Sequence, residues 1–229
     1  MNRVTQKVNV MIRHRLPRIK DSLQFLKQCG YDINYVLDIG VHSGTPWLQR
    51  NLPDAHYVLI EPDANHNDLI HKNYKNFSYE LINVALGNEE NKSAKLSLIH
   101  EGESYEYESK ITTLDSLDIN PKAYNGNSLI KIDVDGYELD ILQGGVNACR
   151  EFDLVVIEAQ TPYMGQLINR IQDMNFELWD VVNMDYAYGN LHQVDLIFKK
   201  QDFIMPKINE YPKYDSFRQG SEYYDYKGD

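Results

Sequence analysis

Cysteine is scarce in this sequence: Cys29 and Cys149 are the two thiols in 229 residues. That is too few for a disulfide scaffold or a zinc ribbon. Each sits near the end of an expected helix, where a reduced and partly buried thiol is the ordinary role. Long hydrophobic runs are also missing. No stretch approaches the ~20 apolar residues of a membrane span. The basic lead-in MNRVTQKVNVMIRHRLPRIK has no continuous apolar segment behind it, which argues against a secretory signal. The expectation is a soluble, cytoplasmic protein without a membrane span. Positive charge is short as well, with 23 Lys+Arg against 34 Asp+Glu and a formal net charge of -11. A nucleic acid is therefore not expected as a partner, because phosphate-backbone binding relies on Lys and Arg. A small nucleotide-like ligand held by a few local contacts stays open. What the chain does have is 42% hydrophobic and 11% aromatic residues, enough for a packed core.

The length fits one decorated α/β domain. After the lead-in, Ile19, Leu23 and Leu26 share one helical face, and Gly30 ends the pattern. The apolar run YVLDIG stops at Gly40, the segment GVHSGT reads as a loop, and Pro46 can open the next helix. HYVLIEP ends at Glu61, and Asp63 then caps a helix through about Tyr74. SYELINVAL reads as a third strand running to Leu86. From about Asn88 to Asn127 the rhythm breaks. AKLSLIH alternates like an antiparallel strand, EGESYEYESK reads as a polar, tyrosine-bearing loop, and Thr112 with Asp115 has the spacing of a capping box. Regular alternation resumes with SLIKIDVDG, a strand ending at Asp133, then a helical stretch broken by Gly144-Gly145. DLVVIEAQ is a strand ending at Glu158; a helix after Pro162 and the strands FELWDVV and QVDLIFK close the domain. Apolar strands alternating with helices imply a parallel sheet covered on both faces. The expected fold is a doubly wound Rossmann-like sheet of seven strands, mostly parallel, with the last antiparallel. Residues 1–30 form a helical lead-in, 31–200 the domain, and 201–229 a Tyr-rich tail.

In such sheets ligands bind beyond the carboxyl ends of the strands. Strand one ends in Asp38-Ile39-Gly40, with Gly44 completing the turn. Strand two ends in Glu61, about 20 residues on, the separation expected of an acid that accepts from a ribose diol. A dinucleotide site needs G-x-G-x-x-G; this loop lacks the central glycine and carries no Lys or Arg. A phosphate-free ligand with an adenosine ribose and a cationic centre fits better, which points to S-adenosylmethionine. Its sulfonium and ammonium groups suit the acids Asp38, Glu61 and Asp133.

The segment IKIDVDGYELDILQGG, Ile130 to Gly145, resembles the signature of the FkbM family of S-adenosylmethionine-dependent methyltransferases. VLDIGVHSG, IEPD, NVALGN, ITTLDSL and DLVVIEA resemble that family's other segments in the same order, over roughly Tyr35 to Gln160. The loop departs at Val41-His42, where Ala-Asn is common in the family. The resemblance implies a cofactor site built from Asp38, Gly40, His42, Gly44, Glu61, Pro62, Asn83, Ala85, Leu86 and Asp133. It implies O-methylation of a hydroxyl on a sugar, glycan or other small metabolite.

Asp133, Glu158 and His42 are the candidate catalytic residues, any of which could take the acceptor's proton. Asp133 could instead bond loop amides, and His42 could simply pack the loop. Asp133 with Glu158 could hold a magnesium ion, although two acids are thin support for a metal. Asp135 and Glu138 read as a capping box before LDIL. His192, Tyr105, Tyr107, Tyr186 and Tyr188 are further candidates for lining the cleft or stacking on a sugar. The competing reading is a binding module that keeps the cofactor fold and acts through its tyrosine-rich tail. A nicotinamide-dependent oxidoreductase is a third, disfavoured by the missing glycine.

Overall fold

The structure, a computed structural model, describes residues 18–28, 30–90, 92–100 and 103–203. The chain runs α1 (Ile19–Gln28), β1 (Ile33–Ile39), α2 (Pro46–Asn51), β2 (His56–Ile60), α3 (Asn67–Tyr74), β3 (Ser78–Ile82) and β4 (Ala85–Leu86). It continues through β5 (Lys92–His100), β6 (Glu103–Thr112), β7 (Asn127–Ile132), α4 (Glu138–Gly144), α5 (Val146–Cys149) and β8 (Leu154–Gln160). The last elements are α6 (Met164–Gln172), β9 (Phe176–Ala187) and β10 (Asn190–Lys200).

Seven strands form one sheet in the order β3-β2-β1-β7-β8-β10-β9. Neighbours from β3 to β8 are parallel, and β10 runs antiparallel to both β8 and β9. The winding leaves β1 in two directions, toward β2 and toward β7. The carboxyl ends of β1 and β7 therefore flank the crevice where such sheets bind ligands.

The strands are apolar almost throughout because helices cover both faces. On one face Ile19, Leu23 and Leu26 of α1, with Ile70 and Tyr74 of α3, bury against Val36, Tyr57, Leu59 and Val156. On the other, Ile141 and Leu142 of α4 and Leu167 and Ile171 of α6 meet Leu37, Ile60, Ile130 and Val155. Each such side chain stabilises the fold by about 1.5–3 kcal/mol relative to exposure. The lead-in helix α1 is tied to the far strand: Ser22 Oγ donates to Asp180 Oδ2 at 2.7 Å, and the Ile19 N–H donates to Asn183 Oδ1 at 3.3 Å. Cys149 is fully buried, and that burial pushes its thiol up to about 12; Cys29 and the tail beyond Phe203 lie outside the described residues. Among the described residues, no helix is long and apolar enough to cross a membrane.

The structure differs from the sequence expectation in several places, three of them around the small sheet. The third strand ends at Ile82, and Ala85–Leu86 instead pair in parallel with Ile111–Thr112 in a separate sheet of order β4-β6-β5. The break follows from a tight turn, in which the Val84 N–H reaches back to the Ile82 carbonyl at 3.2 Å. Residues 103–112, read as a loop for their polarity, form strand β6 against β5, placing Tyr105 and Tyr107 in a strand. The period-two alternation of tyrosine with polar residues is the strand signal that polarity hid. Thr112 and Asp115 do not form a capping box. Asp115 reaches instead to α5, accepting from the Asn147 and Ala148 N–H groups at 3.2 and 2.7 Å.

Candidate active site

The loop after β1 is built on Gly40. Its φ of +80° favours glycine, and a Cβ there would lie 1.8 Å from the Asp133 carbonyl oxygen. The Gly40 and Val41 N–H groups both donate to the Ile60 carbonyl, at 3.0 and 3.3 Å, bending the loop over the end of β2. Helix α3 holds its far side: Asn73 Nδ2 donates to the Ser43 carbonyl at 2.6 Å, and the Thr45 N–H donates to Tyr74 Oη at 3.3 Å.

Glu61 is buried at the end of β2 and anchors this loop. Its Oε2 accepts from the His42 N–H at 2.7 Å, and its Oε1 from the Asp63 N–H at 3.0 Å. Each carboxylate oxygen can accept more than one hydrogen, so both retain acceptor capacity. The His42 backbone sits at φ 52°, and its ring centroid lies 4.2 Å from that of His66. Asn83 stands behind Glu61, with Nδ2 donating to the Glu61 carbonyl at 2.8 Å.

Lys131 is the residue that sequence reasoning missed. It lies in β7, almost wholly buried, with Nζ 3.0 Å from the Gly40 carbonyl oxygen, 3.1 Å from Asp38 Oδ1 and 3.3 Å from Asp133 Oδ2. Burial alone would lower the Lys131 pKa, but Asp38 and Asp133 outweigh it and hold the ammonium above its ordinary value. The visible signal was a charged residue inside the apolar run Leu129-Ile130-Lys131-Ile132. A buried lysine there needs partners.

One cavity of about 980 Å³ joins these elements. Of the residues expected to bind a cofactor, Gly40, His42, Gly44, Glu61, Pro62, Ala85, Leu86 and Asp133 line it. Glu61 and Asp133 thus share one hollow. Asp38 and Asn83 are not among the lining residues: Asp38 is fully buried, and Asn83 is exposed, its amide bonding Asn67 and the Glu61 carbonyl. Ile111 of the small sheet, Tyr137 and Asp140 also line the cavity. Nothing in the local sequence marks Ile111, which arrives only through the pairing of β6 with β4.

Glu158 is one strand further along, on β8, opposite Asp195 of β10. Gln193 Nε2 donates to its Oε1 at 2.6 Å. Burial, with the nearby Asp133, Asp135, Asp195 and Glu138, pushes Glu158 up to about 8. Burial raises Asp195 to about 6 against the hydrogen bond from Asn183; Asp133 adds to the rise and Lys131 opposes it. Asp135 and Glu138 are not paired as a capping box. Asp135 sits at φ 54°, while the Glu138 carboxylate accepts from the Val134 and Gly136 N–H groups at 3.1 and 3.2 Å. His192 and Tyr186 are exposed on the β9–β10 hairpin, and Tyr188 forms its turn. Among the described residues, no group of three or more His, Cys, Asp or Glu side chains is placed to hold a metal ion.

The fold is shared with the N-methyltransferase NodS from Bradyrhizobium japonicum WM9 in complex with S-adenosyl-L-homocysteine. That likeness has 11% identity and a TM-score of 0.51, covering 79% of this chain and 85% of that one. A second structure of the same enzyme matches with 10% identity and a TM-score of 0.50, over 79% of this chain and 93% of that one. No curated protein matches the chain in sequence. A family model described as the methyltransferase FkbM domain matches residues 38–178, from Asp38 near the end of β1 into strand β9. With the match running through the Gly40 loop, Glu61 and the Lys131–Asp133 strand end, the chain belongs to the FkbM methyltransferase domain family.

Proposed function

We propose that this protein transfers the methyl group of S-adenosylmethionine to a hydroxyl of a sugar or other small metabolite. The observation that carries the reading is the shared cavity: the partnered Glu61 and the Asp133 carboxylate line one hollow, with the Gly40–Gly44 loop between β1 and α2. The residues fit an adenosine-type ligand. Glu61 keeps acceptor capacity for a vicinal diol after holding two backbone amides. They do not fit a diphosphate, because Lys131 on the cavity wall is already engaged by Asp38, Asp133 and the Gly40 carbonyl.

When bound, S-adenosylmethionine supplies an electrophilic methyl on a sulfonium that is already a good leaving group. The protein's work is then alignment and proton removal. Holding both reactants in line can supply ~7–11 kcal/mol of the barrier. In this reading Glu61, the Gly40–Gly44 loop and Asn83 to Leu86 position the methyl donor, and Asp133 faces the reacting oxygen. Glu158, raised to about 8 and carried on β8 outside the residues that line the cavity, is a second candidate for accepting that proton, a role that contributes roughly 10²–10⁴-fold. His42, held by Glu61 through its N–H, is the third candidate base.

The test has two stages. Calorimetric titration with S-adenosylhomocysteine is expected to give saturable binding, and its absence in well-folded protein removes the reading. S-adenosylhomocysteine formation is then measured with a panel of hydroxylated and aminated acceptors. Turnover confined to amines would remove the O-methylation part while leaving methyl transfer.

A further inference from the structure

The carbonyl of Gly40 is the first backbone acceptor beyond β1, at the point where the loop departs from the sheet. Its hydrogen-bond partner is a side chain, Lys131 Nζ at 3.0 Å, from the adjacent strand. The same ammonium reaches the carboxylate behind the loop, Asp38 Oδ1 at 3.1 Å, and the one in front of it, Asp133 Oδ2 at 3.3 Å. An ammonium has three N–H donors, and three oxygens surround this one. The Asp38 side chain is fully buried, whereas that of Asp133 is 42% exposed and lines the cavity. Gly40 packs against the Asp133 backbone, where an added Cβ would lie 1.8 Å from the carbonyl oxygen.

We propose that Lys131 is the positioning residue of this site. Its buried ammonium fixes the direction of the Gly40 carbonyl, hence the course of residues 40–45. It also holds one oxygen of Asp133, so that the carboxylate keeps one orientation toward the cavity. The loop arm of this inference stands on geometry alone; its ligand arm rests on the methyl-transfer reading.

The loop offers a direct readout, because the amides of Gly40, Val41, His42, Gly44 and Thr45 are all hydrogen-bonded. In the full chain without ligand, Lys131→Ala is expected to speed hydrogen exchange over residues 40–45 about tenfold while the β2 core keeps its protection. Affinity for S-adenosylhomocysteine, measured by calorimetry, is expected to fall by about tenfold in the same variant. Propylammonium, which replaces the lost methylenes and the charge, is expected to restore both; propanol, of similar size but neutral, is not. Equal rescue by the two would show that Lys131 merely fills space and would overturn the proposal. So would unchanged exchange in a folded variant. Should Lys131→Ala not fold, Lys131→Met combined with Asp38→Asn removes both buried charges at nearly constant volume. Retained loop protection in that double variant also overturns the proposal. If wild-type protein shows no S-adenosylhomocysteine binding, the methyl-transfer reading falls, while the exchange measurements still decide the role of Lys131.

Discussion

The two sides of the crevice treat their carboxylates in opposite ways. On the β1–β2 side, Asp38 and Glu61 are buried, but Asp38 is paired with Lys131 and Glu61 accepts two backbone N–H groups. On the β7–β8–β10 side, Asp133 ends β7 on the cavity wall, while Glu158 and Asp195 face each other across β8 and β10 outside its lining; burial, with neighbouring acids adding to it, lifts Glu158 to about 8 and Asp195 to about 6. The first side uses acids as rigid acceptors that shape a loop. The second keeps two acids, Glu158 and Asp195, whose protons move near neutral pH.

The largest expected effect breaks the rigid side. Gly40→Ala places a Cβ against the Asp133 carbonyl in a left-handed conformation, and is expected to cost roughly 3 kcal/mol or more. Urea denaturation measures this, and a loss under 1 kcal/mol would mean the junction is looser than its geometry.

Glu61→Gln comes next. It presents an amide NH₂ to one of two backbone N–H groups, and charge-assisted bonds of this kind contribute about 1.5–3 kcal/mol. Affinity for S-adenosylhomocysteine is expected to drop at least about tenfold. Lost stability with unchanged affinity would confine Glu61 to shaping the loop.

The proton-active side is read by pH. Glu158 and Asp195 have folded values raised from the ordinary 4.5 and 3.8, so the folded state retains protons that the unfolded chain releases. Their contribution to stability is full below about pH 4 and is lost as pH rises through about 6 and then about 8. The melting temperature is expected to fall between pH 6 and 9, and Glu158→Gln to flatten that fall. Parallel declines in both proteins would contradict the raised value.

The smallest effect lies at the hairpin tip. Tyr188 is fully exposed at φ 51° and precedes Gly189 at φ 81°, a pair of positive φ angles that suits Asn-Gly. Tyr188→Asn is expected to stabilise by about 0.5–1 kcal/mol in thermal melts. A simultaneous loss of turnover with bulky acceptors would place this hairpin on the acceptor side.

Much of this was legible in order along the chain. Apolar strands ending in Asp38-Ile39-Gly40 and Glu61 marked the sheet and one wall of the cavity, because strand periodicity and glycine conformation are local properties. Lys131 was legible as part of the segment that resembles the family signature, a lysine among Leu129, Ile130 and Ile132, but its role was not, since its partners Asp38, Gly40 and Asp133 meet only when β1 and β7 pair. Glu138 looked like a helix cap, yet it bonds the Val134 and Gly136 amides, because Asp135 turns left-handed and the helix starts later than its spacing implied.

The sequence by itself determined the alternation of strands and helices, the two-faced burial, and which acids stand at strand ends, all from patterns within a few residues of one another. The tertiary structure alone decided that Lys131 joins Asp38, Asp133 and Gly40, that Glu158 meets Asp195, and that β6 walls the cavity through Ile111. Those contacts depend on strand order and register, and so does the proton affinity of a carboxyl group, which responds to every charge within a few ångströms however distant in the chain.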